Sequence, residues 1–126
     1  MDASPVTVLI VDDQALFRRA AAAVVKATGG FGIVGRADSG EQAVELVESL
    51  SPKLFLMDTN MAGINGLEAT RRITTAHPEV VVVLLSTYQA ADLPADAATS
   101  GATAYVNKED FGPDMLEQIW AEQATG

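Results

Sequence analysis

Apolar and polar positions alternate in blocks along the chain. Val6-Thr7-Val8-Leu9-Ile10-Val11 is a nearly unbroken apolar run that stops at Asp12-Asp13, the pattern of a strand covered on both faces. Leu16, Phe17, Ala20, Val24 and Ala27 then recur at helical spacing, and Gly29-Gly30 ends that helix. Phe31 to Ala37 predicts a second strand, less apolar and interrupted by Gly32 and Gly35, and so placed at a sheet edge. Ser39 stands as the N-cap of a second helix with Ala43, Leu46, Val47 and Leu50 on one face, ended by Pro52. Leu54-Phe55-Leu56-Met57 is a third strand run, stopped by Asp58 and followed by Gly63, Asn65 and Gly66 as turn formers. Leu67, Thr70, Ile73 and Thr74 mark a third helix, closed by His77-Pro78.

Val80 to Leu85 is the most apolar run, which predicts a central strand, and it ends at Ser86-Thr87. A weak helical segment lies between Ala90 and Ser100, with Gly101 as its stop. Ala104-Tyr105-Val106-Asn107 is a short last strand that runs into Lys108. Pro113 opens a final amphipathic helix with Met115, Leu116, Ile119 and Trp120 as its apolar residues. Five strands alternating with five helices predict an α/β fold: a doubly wound, five-stranded parallel sheet with helices on both faces. Right-handed crossovers turn all five strands the same way, so the polar residues at their ends share one rim. In the flavodoxin-like order 2-1-3-4-5 the first and third strands are neighbours, ~4.8 Å apart, which gathers Asp12, Asp13 and Asp58. Ser86 flanks Asp58 on the other side, and Lys108 starts two strand spacings away, roughly 10 Å, a gap its side chain can largely cover.

Composition narrows the class. The 126 residues, 48% hydrophobic and 20% charged, are those of one folded domain and not of a disordered chain. Residues 1–122 form the expected domain, and 123–126 a small polar tail. A formal charge of −9, from 17 acidic and 8 basic residues, repels phosphate backbones and argues against nucleic-acid binding by this segment. The absence of cysteine excludes a disulfide scaffold and a thiolate metal site. The acidic start differs from a signal peptide, and the apolar runs are too short to span a bilayer, so a cytoplasmic protein without membrane contact is expected.

Three carboxylates on one rim raise one another's pKa unless a cation compensates them. A hard divalent ion such as Mg²⁺ suits oxygen ligands of this kind and keeps positions for phosphate oxygens. Lys108 as a compact charge and Ser86 as a hydroxyl donor then suit a phosphoryl group on Asp58, a carboxylate being a competent nucleophile in phosphoryl transfer. A dedicated phosphatase would want a second carboxylate two residues beyond Asp58, where this chain has Asn60. The GxxxxGK[ST] and GxGxxG patterns are absent. His77, the one histidine, reads as a helix-end residue and not as a phosphodonor or metal ligand.

The acidic pair after the first strand, the MDTNM-x-G-x-x-G segment, the hydroxyl after the fourth strand and the Tyr-x-x-Lys of the fifth occur together and in order. From about Val6 to Trp120 the chain resembles the receiver domain of bacterial two-component response regulators. VDDQALFRR, NGLEATRRI and GATAYVNKED resemble the subfamily whose receivers precede a LuxR-type helix-turn-helix output domain, which implies that 123–126 starts a linker to such a domain. The resemblance implies that Asp58 takes a phosphoryl group from the phosphohistidine of a sensor histidine kinase, with Mg²⁺ held by Asp13 directly, Asp12 through water, Asp58 itself and the backbone carbonyl of Asn60. It implies phosphate contacts from Ser86, Lys108 and the backbone amide of Thr59, and a switch in which Ser86 draws Tyr105 inward. The face of the fourth helix, fifth strand and fifth helix would then change, a face that commonly carries homodimerisation. Side chains of Asn60 and Tyr88 would tune the phosphoryl lifetime. Such a domain signals and is no enzyme beyond its own phosphoryl transfer and dephosphorylation. An atypical receiver that signals without phosphorylation, or a stand-alone regulator, is the alternative. Two departures stand out: Ala62 replaces the proline common four residues past the phosphoacceptor, and Pro94 predicts a short, loosely held fourth helix that begins near it.

Overall fold

In the computed structural model, described over residues 5–59, 66–86 and 101–125, each apolar run becomes a strand of one parallel sheet. The elements are β1 (Val6–Val11), α1 (Ala15–Ala27), β2 (Phe31–Ala37), α2 (Gly40–Leu50), β3 (Leu54–Asp58), α3 (Gly66–Ala76), β4 (Val81–Ser86), β5 (Ala104–Asn107) and α4 (Pro113–Thr125). The strand order is β2-β1-β3-β4-β5, all parallel, as the flavodoxin-like expectation has it. The predicted helix between Ala90 and Ser100, with Pro94, lies outside the described residues, so α4 is the fifth helical segment of the sequence. Asn60, Ala62, Gly63, Asn65 and Tyr88 lie outside them too.

Alternate residues of each strand feed two cores, because successive side chains point to opposite faces. Leu9, Val11, Phe55, Met57, Val82 and Leu84 pack under α2 and α3 with Ala43, Val47 and Ile73. Val8, Ile10, Leu54, Leu56, Val83 and Leu85 pack under α1 and α4 with Ala21, Val25, Leu116 and Ile119. Coverage on both faces is why β3 and β4 are buried along their whole length. It also corrects one expectation: β3 is the central strand, and β4, though more apolar, lies one place nearer the edge. Apolarity reports cover above and below a strand, not the number of strands beside it.

The edge position of β2 is borne out, and its register with β1 slips between Val8 and Leu9, leaving Val34 as an extra residue next to Gly35. Ser39 caps α2 as expected, its hydroxyl accepting the Gln42 N–H at 3.1 Å. Ser51 closes that helix in the left-handed region with φ 47°, just before a buried Pro52. Pro113 opens α4, which continues through Gln123 to Thr125 into the stretch expected as a polar tail. Phe31 and Trp120 meet edge to face with centroids 6.3 Å apart, tying the edge strand to α4. His77, at the end of α3, reaches Glu48 of α2 at 2.9 Å, in keeping with a structural histidine. Among the described residues no helix is long and apolar enough to cross a membrane.

Candidate functional site

Strand register builds the site. Val11 of β1 pairs with Met57 of β3, so Asp12 and Asp58 come off adjacent strands side by side at the carboxyl rim. Asp12 is 1% exposed and held on three sides. Its Oδ1 accepts the Gln14 N–H at 2.8 Å, its Oδ2 accepts Lys108 Nζ at 2.8 Å, and its carbonyl accepts Arg18 Nη1 at 2.5 Å. Asp13 is exposed beside it. Carboxylate oxygens of Asp12, Asp13 and Asp58 lie within 4.8 Å of one another. All are hard oxygen donors, with no nitrogen or sulfur in the cluster, a set that fits Mg²⁺ and not a softer metal.

Lys108 supplies the positive charge. The chain leaves β5 through a tight 3₁₀ turn, Lys108–Asp110, whose start is fixed by the Asn107 side chain accepting the Glu109 N–H at 2.9 Å. Across the rim the ammonium comes to 3.4 Å from Asp58 Oδ1 while bonded to Asp12, and the lysine side chain is only 12% exposed. Its third neighbour is the Phe17 ring, 4.4 Å from Nζ to the centroid. Ser86 is the last residue of β4, buried, next to the Leu85 that pairs with Asp58. The sequence-predicted Asp12, Asp13, Asp58, Ser86 and Lys108 are thus brought to one rim. Asn60 and Tyr88 lie outside the described residues. Tyr105 stands apart on β5 against the α2–α3 core, its buried hydroxyl without a hydrogen-bond partner among the described residues.

The Thr59 N–H, which the resemblance assigns to a phosphate, donates here to the Leu85 carbonyl at 3.1 Å, extending the β3–β4 ladder by one rung. Gly66, expected as a turn former, opens α3 pressed against the end of β3: a Cβ there would sit 1.9 Å from the Asp58 carbonyl oxygen. Two neighbours of the site were hidden in a helix. Phe17 carries no polar signal and reads as part of the apolar face of α1, and Arg18 reads as surface charge. Their spacing of four and five residues after Asp13 was the available clue, since one helical turn returns α1 to the rim it started from. A separate hollow of about 350 Å³ opens at the opposite, amino-end rim of the sheet beside Lys53, His77, Val80 and Trp120, remote from these groups.

Comparison with known proteins gives a consistent result. The family model of the response regulator receiver domain matches residues 8–120. The response regulator GacA of Pseudomonas viridiflava is 35% identical over 114 residues, covering 90% of this chain and 53% of its own length. The transcriptional regulatory protein DegU of Brevibacillus brevis is 34% identical, with 90% of this chain and 48% of DegU covered. The chain therefore spans about half the length of the curated relatives it matches. Among solved structures, a two-component response regulator of the LuxR family from Aurantimonas sp. SI85-9A1 superposes with a TM-score of 0.85 at 27% identity, over 97% of this chain and 87% of that one.

Proposed function

The chain belongs to the family of response regulator receiver domains, and on that premise we propose that Asp58 is its phosphoacceptor, charged from the phosphohistidine of a sensor histidine kinase in the presence of Mg²⁺. The observation that carries this reading is the Lys108 ammonium lying between Asp12 Oδ2 at 2.8 Å and Asp58 Oδ1 at 3.4 Å, inside a cluster of three carboxylates.

In the transfer, an Asp58 carboxylate oxygen attacks phosphorus, the P–N bond to the donor imidazole breaks, and the imidazole leaves with the bonding pair and takes up a proton. Asp12, Asp13, Asp58 and the Asn60 carbonyl would hold Mg²⁺, which when bound supplies charge neutralisation for the phosphoryl oxygens. Burial of Asp58 keeps water from competing for its oxygens, and the held Asp12 keeps one wall of the pocket fixed before the donor arrives. Lys108 is already positioned to bind a phosphoryl oxygen, and Ser86 offers a hydroxyl from the neighbouring strand. The Tyr105 hydroxyl, without a hydrogen-bond partner among the described residues, gives that side chain something to gain from a second position, which supports its part in the switch with Ser86. Asn60 and Tyr88 then tune the lifetime of the acyl phosphate. The output is read by a partner on the face formed with β5 and α4, by a second copy of the chain or by a DNA-binding output domain, in the cytoplasm where such kinases act.

Intact mass after incubation with Mg²⁺ and acetyl phosphate tests this. We expect one phosphoryl adduct on the wild-type chain, lost with chelator and lost in Asp58→Asn. A folded, Mg²⁺-supplied wild-type chain that takes no adduct would establish the atypical, phosphorylation-independent receiver instead.

A further inference from the structure

The ammonium of Lys108 has three protons and, among the described residues, three close neighbours, of which two are carboxylates. Asp12 Oδ2 lies at 2.8 Å and Asp58 Oδ1 at 3.4 Å, while the third side is closed by the face of Phe17, 4.4 Å from the nitrogen to the ring centroid. We propose that Phe17 is a positioning residue of the phosphoryl-transfer pocket: its ring face holds the Lys108 ammonium on the line between Asp12 and Asp58 and keeps water off it. This assignment rests on the reading of Asp58 as phosphoacceptor.

A lysine is a strongly hydrated charge on a flexible stem, and left to itself it swings toward solvent. Here the side chain, stem and ammonium together, is only 12% exposed. The negative face of an aromatic ring attracts a cation without offering a lone pair or a formal charge. That distinction matters at this site. A carboxylate or amide at position 17 would claim the ammonium by a directed hydrogen bond and draw it off Asp58. A ring attracts it while leaving its N–H bonds for the carboxylates now, and for a phosphoryl oxygen later. Phe17 itself is held, half-buried against the core formed by α1 and α4, so the ring is a fixed wall and not a mobile lid.

The topology explains why this contact is available. Phe17 lies on the first turn of α1, on the α1–α4 side of the sheet, and Lys108 just beyond β5, so both sit at the carboxyl rim. Ring and ammonium therefore meet across the ends of β1 and β3, over the two carboxylates that the lysine bridges.

Phe17→Leu keeps an apolar side chain of similar burial and removes the ring face, whereas Phe17→Tyr keeps the face. The Lys108 εCH₂ protons, assigned by their absence in Lys108→Met, are expected to be shifted upfield by the ring current in wild type and Phe17→Tyr, and to move to ordinary lysine positions in Phe17→Leu. The initial rate of acetyl phosphate labelling with Mg²⁺ is expected to fall about three- to thirtyfold in Phe17→Leu, the range an exposed to desolvated cation–ring contact supports, and to recover in Phe17→Tyr. Thermal melting checks that Phe17→Leu is folded, and the wild-type spectrum and the Phe17→Tyr rescue need no disruptive change. A wild type that labels but shows no ring-current shift at Lys108 overturns the role of Phe17 alone, as does a folded Phe17→Leu that loses the shift and labels at the wild-type rate. A wild type with the shift that takes no phosphoryl group overturns the phosphoacceptor reading first, and this role with it.

Discussion

Lys108 does two jobs whose requirements conflict. Its ammonium compensates the charge of Asp12, which is 1% exposed and lies 2.8 Å away. The same charge sits against the carboxylates that would receive a divalent cation, and it repels that cation. Lys108→Met, which keeps the stem and deletes the charge, should therefore move two measurements in opposite directions. In chelator the variant should lose about 3 kcal/mol of stability by denaturant unfolding, the usual cost of breaking one side of a buried pair. By titration it should bind Mg²⁺ more tightly, on the order of tenfold, because one positive charge a few ångströms away is gone. Unchanged Mg²⁺ affinity would mean that the ammonium and the cation do not share a site.

Among the elements, α3 is the one whose start is dictated by the site. Gly66 lies so close to the Asp58 carbonyl that any side chain must displace either β3 or the helix. Alanine favours a helix by up to about 1 kcal/mol over glycine, while overpacking against backbone costs about 1–3 kcal/mol or more. Gly66→Ala should lose about 2 kcal/mol net and label more slowly at Asp58; a variant more stable than wild type would refute the close approach. Ser39 at the head of α2 and the span of β5 are readable from local pattern, since a cap and a short strand are decided by adjacent residues. Gly66 is not readable that way, because its need for a bare Cα comes from Asp58, in a different element. β4 was misplaced toward the centre for a related reason: an apolar run encodes cover on both faces but not lateral neighbours. Asp12, Asp13, Asp58, Ser86 and Lys108 were legible as a group once the strand order was assumed, because strand ends are sequence features and topology gathers them. Phe17 and Arg18 were not, since on α1 they look like one more core residue and one more surface charge.

At the scale of the molecule, a cation held by the carboxylate cluster would be linked to the stability of the whole fold. A ligand that binds only the folded chain stabilises it by mass action, about 1.4 kcal/mol at ten times its dissociation constant. For a domain of this size that is a rise in melting temperature of about 4 °C, expected with Mg²⁺ for wild type and absent in Asp13→Asn. The net charge of −9 makes the acidic rim one part of a general self-repulsion, and a thermal rise of equal size in Asp13→Asn would point to bulk screening and not to the site. The Asp12–Lys108 pair has a consequence of another kind. Its two members stand 96 residues apart, and the lysine emerges from the ribosome only when β1, β3 and β4 have already been made. A nascent chain that has formed the first four strands carries the three carboxylates of the rim without the Lys108 ammonium, so closure of β5 is drawn by electrostatics as well as by apolar contact. Long-range pairing of this sort slows folding, and in order of synthesis the pocket acquires its lysine last, after the fifth strand.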